Sequence, residues 1–159
     1  MKHVALHLGV AGMDDREALL DLERRCQSHP WTAAHFREEL SRRGDARVLV
    51  LRSPDGVIAA YCVIGLVADE LQVQNLGVAP EHRRRGLGRW LLAFALGHGA
   101  RRGATKALLE VRQGNRAALA LYGALGFEPL FVRRGYYQDP PEDAVVLQKS
   151  PLQSPTKDS

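Results

Sequence analysis

Between Leu71 and Val111 the chain passes through LQVQNLGV, a turn RRRGLGR, an apolar run WLLAFAL and a second β-rich run KALLEV. Strand, glycine turn, helix and strand in that order form a βαβ unit, which restricts the fold to the α/β class. Upstream, Val4, Leu6, Leu8 and Val10 alternate as in a strand. Asp14 and Asp15 offer an N-cap to a first helix whose face carries Leu19, Leu22 and Cys26, and His29-Pro30 stops it. A second helix is expected from Thr32, with Phe36 and Leu40 on one face, ending at Gly44. The run ARVLVLRSPDGVIAAYCVIGLV reads as a hairpin joined by a Ser-Pro-Asp-Gly turn.

The helix of the βαβ unit should run from about Leu87 to Arg102, capped by Gly103. Asn115 then opens a helix through Leu125, closed by Gly126 in the left-handed conformation such ends prefer. FEPLFVRRGYY and DAVVLQK supply two late strands. No repeat or linker interrupts the pattern. One domain is therefore expected over residues 1–149, with SPLQSPTKDS (150–159) as a disordered tail.

At 159 residues the chain is long enough for a substantial core. Its formal charge of +4 suits an anionic ligand but is too small to imply nucleic acid without a localised basic stripe. The two cysteines, Cys26 and Cys62, sit among apolar or helical residues and read as buried, unpaired thiols. The N-terminus has no signal-peptide pattern, and the longest apolar stretch, residues 57–68, falls far short of the ~20 residues that span a bilayer. The expectation is a cytoplasmic protein, a monomer or weak dimer, with no membrane and no direct nucleic-acid partner.

RRRGLGR joins a strand to a helix, and a helix N-terminus with glycines in front of it can hold an anion. Its first N–H groups lack intrahelical partners, and the helix dipole is positive there. Gly86 and Gly88 let a ligand approach the backbone. A Rossmann fingerprint is ruled out because Leu91 stands where a third small residue is needed, and no Gly-Lys-Ser/Thr is present for an ATP-type loop. On these residues alone, a phosphate cradle and a helix cap with solvated arginines both stand.

Two further features bear on chemistry. In KALLEVR, Glu110 shares a strand face with Leu108 and Arg112, and a carboxylate there must be paired or used. It reads either as one half of an ion pair with Arg112 or another arginine, or as a general base that partial burial would strengthen. Asn115 and Tyr122 lie seven residues apart on one helix face, roughly 10 Å along the axis, and could line an extended ligand. Their plain alternatives are an N-cap and a core aromatic. His29, His35 and His98 lack metal-ligand spacing, so no metal is expected, and no Gly-x-Ser-x-Gly nucleophile motif occurs.

NLGVAPEHRRRGLGRWLL followed by LLEVRQGNRAALALYGALGF resembles the GCN5-related N-acetyltransferase (GNAT) family. Within it the chain is similar to the RimI-type group that acetylates ribosomal-protein N-termini; HPW at 29–31 and YY…EDAVVL near the end extend the likeness. The resemblance implies a single GNAT-like α/β domain, with a mixed, mostly antiparallel sheet of about six to seven strands flanked by about four helices. It implies acetyl-CoA as cosubstrate, its pyrophosphate held by backbone amides of Arg84, Arg85, Gly86, Leu87, Gly88 and Arg89, with Arg83 adding charge. It places the acetyl group beside Leu76, Gly77 and Val78, where a backbone N–H would meet the thioester oxygen. Asn115 would contact the coenzyme A arm, Glu110 would be the general base acting through water, and Tyr122 the general acid at sulfur. His82 stands where relatives often carry Tyr.

The acceptor implied by the resemblance is the N-terminal alanine of the eighteenth small-subunit ribosomal protein, attacked directly in a ternary complex. Amine chemistry agrees in part: at pH 7 an α-amine of pKa about 8 is ~10% neutral, against ~0.04% for a lysine at about 10.4. The same fold could serve a lysine side chain or a small amine, and a non-catalytic acetyl-CoA sensor would need neither Glu110 nor Tyr122. Tyr136 and Tyr137 could line a peptide groove or simply pack on the sheet.

Overall fold

The carboxylate of Asp15 turns away from the helix it was expected to cap. It accepts the Gly12 N–H at 2.8 Å and takes both ends of the Arg52 guanidinium at 2.8 and 2.9 Å. That pairing holds the Asp15 carboxyl below its ordinary range, with the Arg52 hydrogen bond as the largest cause. Helix α1 (Arg16–Cys26) therefore begins without a side-chain cap, after a short 3-10 turn at Met13–Asp15. Helix α2 (Ala33–Ser41) does have one: Thr32 Oγ1 accepts the His35 N–H at 3.1 Å, where the sequence pattern marked only the helix start.

The computed structural model describes residues 5–138 and 140–152. Val4 of the expected first strand and most of the expected tail, from Gln153 on, lie outside the described residues. Leu152 is held by its N–H on Thr105 O at 2.7 Å. Seven strands form one sheet: β1 (His7–Val10), β2 (Arg47–Arg52), β3 (Ile58–Val67), β4 (Glu70–Val78), β5 (Lys106–Arg112), β6 (Glu128–Tyr137) and β7 (Glu142–Lys149). Their order is β1-β2-β3-β4-β5-β7-β6, with β4 and β5 parallel and antiparallel pairs at β1–β2, β2–β3, β5–β7 and β6–β7. Helices α3 (Leu87–Arg101) and α4 (Arg116–Ala124) complete a mixed α/β domain of seven strands and four helices. The sequence left one feature unread: β7 inserts between β5 and β6, so the last two strands lie in reverse order.

Within this fold the chain divides into two compact units. The first holds Met1–Gly65 and Asn75–Ala95. Here α1 and α2 send Leu19, Leu22 and Phe36 against Val50, Tyr61 and Val63 of the sheet, and Leu19, Phe36, Val50 and Tyr61 are fully buried. Each such aliphatic or aromatic side chain stabilises the fold by about 1.5–3 kcal/mol. The β2–β3 turn is the one read from Ser-Pro-Asp-Gly, with Gly56 at φ +89° and its N–H on Ser53 O. Cys26 is half-buried and Cys62 buried, and both are free thiols.

The second unit holds Leu66–Gln74 and Leu96–Ser159. Pairing of β4 with β5 runs from Glu70 with Lys106 to Val73 with Leu109. Gly99 of α3 lies against Leu71, where a Cβ would come within 3.0 Å of a methyl group, so the helix packs closely on β4. Along β5, Ala107, Leu109 and Val111 are buried and Leu108, Glu110 and Arg112 face the other way, the alternation the sequence predicts. Gly103 (φ +96°) and Gly126 (φ +92°) close α3 and α4 as expected. Lys149 Nζ donates to Leu125 O at 2.5 Å, placing a cation at the carbonyl end of α4.

Candidate active-site elements

In the first unit, β4 ends at Val78 and a 3-10 turn, Pro80–His82, leads to the arginine-glycine loop. Arg84 at φ +66° and Gly86 at φ +74° both adopt the left-handed region, on either side of Arg85. For Gly86 the residue type permits this. For Arg84 it costs about 1–2 kcal/mol, and nothing in the sequence announced it. Helix α3 then starts at Leu87, and Trp90 N–H donates to Gly86 O at 2.9 Å as the first intrahelical bond. The N–H groups of Leu87, Gly88 and Arg89 consequently belong to the first turn, where helix geometry supplies no partner. A Cβ built on Gly86 meets no atom within 4 Å, so there is room for a ligand above the loop. Amides, dipole and open space fit a pyrophosphate.

The arginines divide in role. Arg84, Arg85 and Arg89 are exposed. Arg83, expected to add charge around the phosphates, folds back and donates from Nε to Val78 O at 3.2 Å. Its guanidinium is tied to the end of β4.

That end of β4 is held by side chains. Leu76 N–H donates to the Oδ1 of neighbouring Asn75 at 2.9 Å, and Leu76 O accepts from Gln27 Nε2 at 2.9 Å. Val78 O accepts a second bond, from Cys26 Sγ at 3.2 Å. Of the three residues expected to present an N–H to a thioester oxygen, Leu76 thus has its N–H engaged, leaving Gly77 and Val78 as candidates. Gly77 is required for space: a Cβ there would come within 2.5 Å of the Tyr61 ring and hydroxyl.

Sequence reasoning missed what fixes this segment. Glu23 is fully buried, and its carboxylate accepts from Tyr61 OH, from Asn75 Nδ2 at 2.8 Å to each oxygen, and from Trp31 N–H at 3.1 Å. Burial, with the Glu23 charge next, pushes the Tyr61 phenol far above its ordinary range. A readable signal did exist. Glu23 falls on the same helical face as Leu19, Leu22 and Cys26, and an acid on an apolar face demands an account.

In the second unit, the Glu110 side chain is 33% exposed, partly covered as expected and still within reach of solvent. The arginine it meets is Arg133, Nε to Oε1 at 3.2 Å; Arg112 instead pairs with Glu142 at 3.3 Å and lies 4.1 Å over the Tyr137 ring. The strand order explains the exchange. Because β7 separates β5 from β6, Arg133 and Arg112 both register on Ala144, and Arg133 reaches Glu110 from the far strand. Tyr136 hydrogen-bonds Glu110, and that bond is the main cause of its raised phenol pKa. Burial, followed by the Glu110 charge, raises Tyr137 as well. The Glu110 carboxylate thus has an arginine and two tyrosines of β6 as its neighbours.

Helix α4 supplies the remaining candidates. Asn115 is its N-cap, accepting the Ala118 N–H at 3.1 Å through Oδ1. The amide nitrogen is the end left for a ligand. Tyr122 is buried and packs edge to face on Phe127, with ring centroids 5.9 Å apart. Among the described residues no group of three His, Cys, Asp or Glu could hold a metal ion, and no helix is long and apolar enough to cross a membrane.

These elements agree with what the chain is similar to. The acetyltransferase (GNAT) family profile matches residues 16–127. A [ribosomal protein bS18]-alanine N-acetyltransferase of Escherichia coli is 36% identical over 135 residues, which cover 84% of this chain and 89% of the relative. The N-alpha-acetyltransferase RimI of Mycobacterium tuberculosis is 36% identical over 124 residues, covering 76% of this chain and 75% of the relative. The crystal structure of the ribosomal-protein-S18-alanine N-acetyltransferase from Escherichia coli superposes with a TM-score of 0.84 at 30% identity, over 98% of this chain and 99% of that one. With a profile match across most of the folded residues and relatives of this closeness, the chain belongs to the GNAT acetyltransferase family.

Proposed function

We propose that this acetyltransferase transfers the acetyl group of acetyl-CoA to the N-terminal alanine of ribosomal protein bS18. The observation that carries the substrate is the 36% identity, across 84% of the chain, to enzymes named for that reaction. First-turn amides of α3 and the open space at Gly86 suit the pyrophosphate, and Asn115 the coenzyme A arm. The N–H of Gly77 or Val78 donates to the thioester oxygen as negative charge builds on it.

Glu110 takes a proton from the acceptor ammonium through water, which its solvent access permits. The neutral amine then attacks the thioester carbon directly, forming C–N as C–S breaks; Tyr122 gives its phenol proton to the departing thiolate, and the second proton shed by the nitrogen restores the phenol through water. No covalent acyl-enzyme is involved. The same reading places the protein in the cytoplasm with a ribosomal-protein N-terminus as its partner, acting as a monomer or weak dimer, with no membrane or direct nucleic-acid contact.

The test is intact-mass analysis of peptides carrying the bS18 N-terminus, incubated with acetyl-CoA and the protein. One acetyl group is expected on the Ala-initiated peptide and none on the same peptide with a blocked α-amine and free lysines. The reverse pattern would overturn the acceptor assignment while leaving the family intact.

A further inference from the structure

The two buried glutamates of the first unit are kept in different ways. Glu39 has a cation within reach, Arg42 Nε at 3.3 Å, and the His35 ring Nε2 at 3.8 Å. The partners of Glu23 are neutral donors: a phenol, a carboxamide and a backbone N–H. Burying a carboxylate on such terms is costly, and a glutamine of the same shape would avoid the desolvation of a charge. What Glu23 does that glutamine cannot is accept at both oxygens. One Asn75 amide group bridges the two, Tyr61 adds to one, and Trp31 to the other. Four acceptances leave no place for an N–H on residue 23.

The consequence runs outward along β4. With its nitrogen held by Glu23, the Asn75 amide must turn Oδ1 towards the Leu76 N–H and Gln27 Nε2, which lies 3.3 Å away. Gln27 Nε2 in turn donates to Leu76 O. Both main-chain polar groups of Leu76 are thus bonded to side chains whose orientation Glu23 sets. Leu76 immediately precedes the Gly77 and Val78 amides.

We propose that Glu23 is a positioning residue for acetyl transfer, whose doubly accepting carboxylate fixes the Asn75–Leu76 backbone and so aims the following amides at the thioester oxygen. This inference rests on the acetyl-transfer reading above. Glu23 touches no reacting atom. Through Trp31 N–H the same carboxylate also holds the segment between α1 and α2, but the Asn75 arm is the one that bears on the reaction.

The polarity of the Glu23–Asn75 contact can be reversed, which separates positioning from mere packing. Glu23→Gln places an N–H against Asn75 Nδ2 and Trp31 N. Adding Asn75→Asp restores a donor–acceptor match with residue 75 and keeps an oxygen for the Leu76 N–H and Gln27, while the Trp31 contact stays broken. In Glu23→Gln, kcat for an Ala-initiated peptide should fall by roughly 10–100-fold, somewhat less than for outright loss of an oxyanion donor, with KM for acetyl-CoA within about twofold. Amide hydrogen exchange should speed up at both Leu76 and Trp31. In the double variant, Leu76 protection and most of kcat should return while Trp31 still exchanges fast.

An unchanged kcat in folded Glu23→Gln overturns the proposal, as does a double variant that regains Leu76 protection without regaining kcat. Should Glu23→Gln fail to fold, Tyr61→Phe removes one donor and keeps the ring. A fall in kcat with unchanged KM for acetyl-CoA then supports the proposal, and an unchanged kcat defeats it. If the wild type acetylates no acceptor at all, the acetyl-transfer reading fails first, and the exchange pattern still reports whether Glu23 holds β4.

Discussion

Two glutamates, one in each compact unit, are kept in opposite ways. Glu23, in the first unit, is sealed from water and accepts four hydrogen bonds, one of them from the fully buried Tyr61. Glu110, in the second, is open to solvent and shares its charge with Arg133 and Tyr136 on an exposed edge strand. A carboxylate of the first kind cannot exchange protons readily but makes a rigid fixture. One of the second kind holds nothing firmly and can pass a proton to and from water. Substitution should therefore damage them differently, and the largest expected effect falls on the open one.

Glu110→Gln should lower kcat by about 10²–10⁴-fold, the usual contribution of a positioned general base, with the affinity for acetyl-CoA nearly unchanged. Glutamine keeps the shape of the side chain, which is a third exposed, so the unfolding midpoint should stay close to that of the wild type. Tyr122→Phe should also lower kcat without weakening cofactor binding, because the ring and its packing on Phe127 remain. Steady-state kinetics with calorimetric binding checks both. Full activity in either variant would break the assignment of that residue.

The loop in front of α3 comes next. At Gly86 a Cβ has free space, so the penalty for Gly86→Val comes from φ +74° alone, about 1–2 kcal/mol. The variant loop relaxes when empty and must recover that strain on binding, weakening acetyl-CoA by roughly tenfold. Arg85→Ala removes an exposed, screened charge and should cost only a few-fold, shrinking further in salt. Titration of acetyl-CoA against both variants tests the ranking. An arginine effect exceeding the glycine effect would restore the basic patch as the main determinant.

Gly77→Ala probes the fixed side of the comparison through stability. Its methyl group would enter the Tyr61 ring, which is fully buried and bonded to Glu23, so the ring cannot step aside cheaply. Overpacking of this kind typically costs about 1–3 kcal/mol, readable in urea unfolding. Gly86→Val, by contrast, should show its larger effect in binding.

What could be read in the sequence follows the reach of each interaction. Gly103 and Gly126 act on backbone within a turn of themselves, and their roles were legible; Thr32 marked only a helix start. The alternation of KALLEVR placed Glu110 on its face correctly, but not its arginine. Arg112 was near in sequence, and Arg133 became the partner only because β7 inserts between β5 and β6. Asp15 offered a helix cap and was drawn off by Arg52, 37 positions away. The contacts of Glu23 with Tyr61 and Asn75 span 38 and 52 positions, so no local pattern could assemble them. Motif resemblance proposed residues to touch the cofactor and had nothing to say of Glu23, which no motif contains.

The smallest expected effect is also the most direct check that Glu110 is the open, charged partner described. Its negative charge lies near the phenols of Tyr136 and Tyr137 and raises both, through a hydrogen bond in the first case and as a contribution second to burial in the other. A nearby anion disfavours a phenolate, so removing the charge in Glu110→Gln must move both titrations to lower pH. Tyr136 should move further, since the hydrogen bond is its largest cause, whereas Tyr137 keeps the burial that dominates it. Ultraviolet difference titration of wild type and variant, with Tyr136→Phe to assign the signals, reads this without any substrate. Glu23→Gln should leave both phenols where they are, because the Glu23 carboxylate is not among the groups that shift either of them. If Glu23→Gln moved Tyr136 as far as Glu110→Gln did, the two carboxylates would not be independent, and the division between a fixed and an open glutamate would fail.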